Sequence, residues 1–242
     1  MTMDMLKAPE IERHWALFLD LDGTLLDIAL APDKVIIPPG LIDALARVGA
    51  ALNGALAVVS GRRLADIDRM LSPLRLPVAA EHGAVVRLPS GVVDSVSPVR
   101  LPPPQWAAQL RDATRDWSGI LVEEKTYSIA IHYRLAPDRM SAVKQLATSL
   151  VRSDPQFELL AAKQAFEVRP KGVTKGRAVQ MLIETEPFRA RQPVFVGDDV
   201  TDEDGMEVAA GLGGFGLNVG AVFGGKPPAV RDWLARAADA LI

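Results

Sequence analysis

Cysteine is absent from the 242 residues. That excludes a disulfide framework, a thiolate metal site and a cysteine nucleophile, and it leaves the redox compartment open. Histidine is scarce, with three residues, so a multi-histidine metal centre has little to draw on. A basic excess is also missing. The 27 Lys and Arg against 30 Asp and Glu give a formal charge of −3, which removes the electrostatic basis for non-specific binding to nucleic acid or an anionic membrane. No apolar run approaches the roughly 20 residues needed to cross a bilayer. The charged segment 1–15 lacks the apolar stretch of a secretory signal. The expectation is a cytoplasmic monomer with neither nucleic-acid nor membrane partners, whose partner is a small molecule.

What the sequence does contain is a rhythm. Short apolar runs rich in β-formers alternate with helical periodicity, the pattern of a parallel sheet with crossover helices. Runs at 15–20, 55–60 and 76–80 read as strands. A helix from about 39 carries Leu41, Ile42, Leu45 and Val48 on one stripe and ends near Gly49; a second begins near Arg63, and a hairpin is expected around 89–91. At 98–104 the proline-rich stretch breaks the rhythm, because proline continues neither a ladder nor a helix interior. A helix (about 104–117), strands at 120–124 and 127–134, a helix (about 138–151) and strands at 157–161 and 165–169 follow. Residues 127–134 alternate with period 2, so one face is available for something other than core. The parallel rhythm resumes with a helix from about Thr174, a strand at 193–197, a helix from about Thr201, a strand at 215–219 and a helix at 227–240. The fold class is therefore α/β: a doubly wound parallel sheet built from 1–99 and 170–242, interrupted by an α+β cap at 100–169.

Ligands in open α/β sheets bind beyond the carboxyl ends of the strands. Asp20-Leu-Asp22-Gly-Thr24, Ser60-Gly-Arg62 and Gly197-Asp198-Asp199 stand at three such ends. Asp-Gly-Thr is also good turn chemistry, and Ser60 would serve as a helix N-cap. Two carboxylates brought together, however, need a cation or a raised pKa to relieve their repulsion. Asp20 and Asp22 with Asp198 make an all-oxygen site, which suits Mg²⁺ and not Zn²⁺. The pair then divides into a metal-bound nucleophile and a proton donor. Ser60 and the helix start behind it offer a hydroxyl and free amides to an anion. Lys175 opposes the helix dipole in its first turn, which points to neutralising a phosphoryl group and nearby aspartates. Glu203 and Asp204 fit an acidic helix start.

With these motifs the sequence resembles the haloacid dehalogenase superfamily of phosphatases. More narrowly, it resembles the trehalose-6-phosphate phosphatases of bacteria. The segments that carry the narrower likeness are Ser60-Gly-Arg62, Glu81-His-Gly83, Glu123-x-Lys125, His132-Tyr-Arg134, Glu167-Val-Arg-Pro-Lys171-Gly-x-x-Lys175-Gly176 and Gly197-Asp-Asp-x-Thr-Asp-Glu-Asp204. The resemblance implies that Asp20 forms an aspartyl-phosphate and that Asp22 serves as acid and then base. It implies that Mg²⁺ sits on Asp20, the Asp22 carbonyl and Asp198, with Asp199 or Asp202 completing the shell, and that Ser60 and Lys175 hold the phosphoryl oxygens. It also implies that Arg62, Glu123, Lys125, His132 and Glu167 meet the sugar phosphate. Another sugar or polyol phosphate is the alternative substrate, and a phospho-acceptor receiver module the remote alternative.

Overall fold

The computed structural model describes residues 8–29, 31–95 and 99–241. Residues 1–7 of the charged N-terminal segment and residue 98 of the proline-rich stretch lie outside them. The first apolar run forms β1 (Trp15–Leu19), buried at every position. Helix α1 (Leu41–Ala51) follows, with Leu41, Ala44, Leu45 and Val48 buried on one stripe. It starts two residues later than the periodicity suggested and continues two residues past Gly49, since one glycine costs a helix only about 1 kcal/mol. Then come β2 (Leu56–Val59), α2 (Leu64–Leu71), β3 (Val78–Ala80), β4 (Val85–Arg87) and β5 (Val93–Asp94). The N-cap of α2 is Arg63, not Ser60, which leaves the serine for other work.

The next elements are α3 (Gln105–Ala113), β6 (Leu121–Glu124), β7 (Ile129–His132), α4 (Met140–Ser153), β8 (Phe157–Ala162) and β9 (Ala165–Pro170). Helix α3 stops four residues short of the expected 117, in a turn where the Trp117 amide donates to the Thr114 carbonyl at 2.9 Å. The chain closes with α5 (Lys175–Ile183), β10 (Gln192–Gly197), α6 (Val200–Gly211), β11 (Phe215–Asn218), the one-turn α7 (Val219–Val222) and α8 (Pro227–Ala240).

The described residues form two compact units, one from those up to 95 together with 174–241 and the other from 99–173. In the first, the strand order is β11-β10-β1-β2-β3-β4-β5. Strands β11 to β3 are mutually parallel, while β4 and β5 fold back as an antiparallel edge around the expected hairpin. Strands β1, β2 and β3 are buried at every position and β10 at all but its first, on both faces, which explains why their sequences do not alternate. Strand β1 lies between β10 and β2, so the strand order reverses beside it, the position where open α/β sheets bind ligands beyond the carboxyl ends of their strands.

The second unit is a four-stranded antiparallel sheet, order β6-β7-β9-β8. Trp106 and Leu110 of α3 and Val143 and Ala147 of α4 pack with Ile129, Ile131, Phe157, Phe166 and Val168. Trp106 meets Phe157 edge-on at 5.0 Å between ring centroids. The two helix-then-hairpin units read from the sequence are both present.

Candidate active site

The loop after β1 is pinned to its neighbour: the Asp20 amide donates to the Val196 carbonyl of β10 at 3.0 Å. A tight turn follows, in which the amides of Thr24, Leu25 and Leu26 all donate to the Leu21 carbonyl. Gly23 carries φ +91°, and a Cβ there would stand 2.2 Å from an Asp198 carboxylate oxygen. Glycine is thus required twice, by backbone conformation and by the close approach of the carboxylate that ends β10.

Lys175, the first residue of α5, is the hub of the cluster. Its Nζ donates to Asp20 Oδ1 at 2.7 Å and to Asp202 Oδ1 at 2.6 Å. Thr174 positions it by capping α5, accepting from the Arg177 amide at 3.2 Å. Asp202 Oδ2 accepts from the amides of Asp198 and Asp199 at 2.9 and 3.1 Å. Asp199 Oδ1 accepts from the Thr201 amide and hydroxyl at 2.7 and 2.6 Å, so Asp199 and Asp202 form a reciprocal capping box on α6. Of the four residues expected to ligate a metal, Asp20 and Asp198 come together. They do so with Asp202, each of the three offering a carboxylate oxygen within 4.8 Å of the others. The Asp199 carboxylate faces its helix cap, and that of Asp22 faces Arg62, whose Nε and Nη2 donate to it at 2.6 and 2.7 Å.

The electrostatics of the cluster are unbalanced. Burial, and then the Asp202 charge, push the Asp20 carboxyl well above the ordinary carboxylate range, against the pull of Lys175. For Lys175, burial works downward but Asp20, Asp202 and Asp199 outweigh it, and the ammonium is held above its usual range. Asp199 goes the other way: burial raises it, but Lys175 and the Thr201 bonds bring it below the usual value. Three carboxylates thus act on one ammonium, and Asp198 adds a fourth beside Asp20 and Asp202. An all-oxygen donor set with surplus negative charge is what a hard divalent cation satisfies, so the residues fit the ion the family implies.

The loop after β2 is held from β3. The Ser60 amide donates to the Ala79 carbonyl at 2.8 Å, and the Arg62 amide donates to Ser60 Oγ at 3.3 Å. Glu81, His82 and Gly83 run consecutively through positive φ (47°, 59° and 102°). This turn lets the Glu81 and His82 amides donate back to the Arg62 and Ser60 carbonyls at 2.9 and 3.0 Å. The Glu-His-Gly segment therefore clamps the serine–arginine loop through its backbone. Positive φ at two non-glycine residues signals such a constraint only once coordinates exist.

On the antiparallel sheet, Glu123, Lys125, His132 and Glu167 gather on one face. His132 Nε2 lies 2.8 Å from Glu123 Oε2, and Lys125 Nζ donates to both Glu167 oxygens at 3.1 and 3.0 Å. Burial raises the Glu123 carboxyl, but the His132 hydrogen bond and the Lys125 charge bring it net below the usual value. The Lys125 and Glu167 side chains are only 8% and 4% exposed, so this is a buried polar cluster and not a solvated sheet face. Ser128, not singled out from the sequence, also belongs to it; the period-2 alternation that grouped it with His132 was the available signal.

A reversing parallel sheet with Asp-x-Asp beyond its central strand, a lysine opening the helix that precedes the neighbouring strand, and paired aspartates beyond that strand defines a haloacid-dehalogenase-type enzyme. Solved structures share the fold. The trehalose-6-phosphate phosphatase C-terminal domain of C. albicans superposes with a TM-score of 0.73, at 21% identity, covering 96% of this chain and 99% of that one. A trehalose-6-phosphate phosphatase related protein gives 0.67 at 24% identity, covering 84% of each chain. The family model described as Trehalose-phosphatase matches residues 18–229, and the chain belongs to that family. It is 42% identical over 212 residues to a probable trehalose-phosphate phosphatase of Sinorhizobium fredii, covering 86% of this chain and 78% of the relative. It is 35% identical over 230 residues to the trehalose-6-phosphate phosphatase of Escherichia coli, covering 91% and 83%.

Proposed function

We propose that this protein is a Mg²⁺-dependent phosphatase that hydrolyses trehalose 6-phosphate to trehalose and phosphate, with Asp20 as nucleophile. The observation that carries the reading is the convergence of Asp20 and Asp198 from adjacent strand ends, with Lys175 tying Asp20 to Asp202. An Asp20 carboxylate oxygen bonds to phosphorus as the bond from phosphorus to the sugar oxygen breaks, and Asp22 delivers a proton to that oxygen. Asp22 then takes a proton from water, whose oxygen attacks the aspartyl-phosphate, releasing phosphate and restoring Asp20. Arg62 holds the Asp22 carboxylate through both oxygens, fixing its plane between the two steps. Lys175 and the Ser60 hydroxyl meet the phosphoryl oxygens, charge-stabilising groups fixed in advance by the packing of α5 and β2. Asp20 and Asp198, with the Asp22 carbonyl, would hold the divalent ion, which supplies neutralising charge to the phosphoryl group. Asp202, with both oxygens engaged, and Asp199, engaged in the α6 cap, orient that set from behind.

Glu123, Lys125, His132 and Glu167 suit the sugar. Carboxylates accept from vicinal hydroxyls, and an ammonium donates to them. An analogue that leaves such buried groups unmet is rejected. A panel of trehalose 6-phosphate, glucose 6-phosphate and a mannosyl phosphate, with and without chelator, tests the proposal. The disaccharide should turn over many times per enzyme, lose turnover in EDTA and regain it with Mg²⁺. Equal turnover of the monosaccharide phosphates would refute the substrate, and a single turnover per chain would refute hydrolysis itself.

A further inference from the structure

The register of the antiparallel sheet builds a polar face residue by residue. His132 lies opposite Leu121 and Ala165, and Ala130 opposite Glu123 and Glu167. With period 2, Ser128 joins that face one step beyond β7, next to Lys125. Ser128 is 3% exposed. Its hydroxyl donates to Glu167 Oε1 at 2.5 Å, and its carbonyl accepts from the Lys125 amide at 2.9 Å. Lys125 Nζ in turn bonds both oxygens of Glu167. One small residue therefore touches both halves of the ion pair, one through its side chain and the other through its backbone.

We propose that Ser128 is a positioning residue for sugar recognition: it fixes the carboxylate plane of Glu167 and the turn that carries Lys125, without touching substrate itself. The physical reason lies in the freedom of the two partners. An ammonium is a point charge with rotating donors on a flexible stem, so alone it holds a carboxylate without fixing its plane. A hydroxyl aimed at one named oxygen removes that rotation. Recognition of hydroxyls needs lone pairs in fixed directions, and a carboxylate ordered by the fold does not lose that freedom when substrate binds. The inference rests on the reading that Glu167 and Lys125 meet the sugar.

The test is a double-mutant cycle on the full chain with trehalose 6-phosphate, using Ser128→Ala, Glu167→Ala and both together. Ser128→Ala removes one oxygen and leaves no new bulk, so it folds. Loss of one hydrogen bond to a charged group should raise KM about tenfold to a hundredfold, with kcat within about twofold of wild type. In the Glu167→Ala background the same substitution should change KM by less than about twofold, because the acceptor of the serine hydroxyl is gone. A KM for Ser128→Ala within about twofold of wild type overturns the proposal. An equal effect in both backgrounds also overturns it, since the serine would then act elsewhere. Wild-type enzyme that prefers another sugar phosphate refutes the substrate reading alone, and the cycle run on that substrate keeps the same two outcomes.

Discussion

Replacing Asp20 by Asn should abolish activity and, in the metal-free protein, raise stability. Asn keeps the volume and an oxygen for Lys175 but removes one negative charge. Lys175 then faces the carboxylates of Asp202 and Asp199, two instead of three, with Asp198 beside Asp202. Burial and Asp202 already hold the Asp20 carboxyl above its ordinary range, so carrying that charge at neutral pH costs stability. Relieving a functional site of this kind typically returns about 0.5–2 kcal/mol, which for a chain of this length is a rise in Tm of about 1–8 °C. The pH dependence has a definite sign. A carboxyl whose folded pKa is raised binds more protons folded than unfolded, so stability in EDTA falls as pH climbs from the ordinary carboxylate range through the elevated one. The amide in place of the carboxyl should flatten that slope. Mg²⁺ at a hundred times its Kd should stabilise wild type by about 2.7 kcal/mol and the variant far less. Thermal unfolding at pH 5 to 8, with EDTA and with Mg²⁺, measures all of this. A lower Tm for Asp20→Asn in EDTA, or an unchanged response to Mg²⁺, would refute the electrostatic argument.

Asp199→Ala should cost about 1 kcal/mol through loss of the α6 cap, lowering Tm by roughly 2–4 °C, whereas Asp199→Asn, an equally good cap, should not; equal losses would mean the carboxylate does more than cap. Gly23→Ala should abolish phosphatase activity, because a Cβ at φ +91° costs about 1–2 kcal/mol and displaces Asp198. A Mg²⁺ titration followed by Tm should show the weakened site, and near-normal kinetics would contradict the 2.2 Å approach. Glu123→Ala and Lys125→Ala should raise KM for the disaccharide roughly tenfold or more while affecting a small aryl phosphate far less; equal losses on both would assign these residues to the fold.

The parallel sheet was legible because doubly buried strands leave continuous apolar runs, and β10 and α8 stand within a residue of where their patterns put them. The boundaries that shifted are those set by tertiary contacts. Gly49 does not end α1 because the buried stripe carries on through it, and α7, a single turn, is too short to show periodicity. At the candidate site, strand-end motifs announced which side chains converge but not how they share partners. Asp199 and Asp202 look alike in sequence, yet the first caps its helix while the second reaches Lys175 and two amides. Asp204, read as part of an acidic helix start, instead accepts from the Gly176 amide at 2.6 Å across to α5. Such divisions depend on where neighbouring helices pass. The Glu81–Gly83 clamp and Ser128 were hidden for the same reason, since their work is done by backbone groups and by register.

The pairing of β1 with β10 has a consequence for biosynthesis. The strand that leads into Asp20, the proposed nucleophile, is flanked on one side by a segment made much later, with the whole antiparallel unit translated between them. Until β10 emerges, β1 is an open sheet border, and at ribosomal rates of about 5–20 residues per second that interval lasts roughly 10–35 s. Lys175, Asp198 and Asp202 all arrive in the same late portion, so the nascent chain carries Asp20 before the charged groups that surround it in the fold. Assembly of the charged cluster and the pairing of β1 with β10 are thus one event, completed only when the late strand reaches the early one.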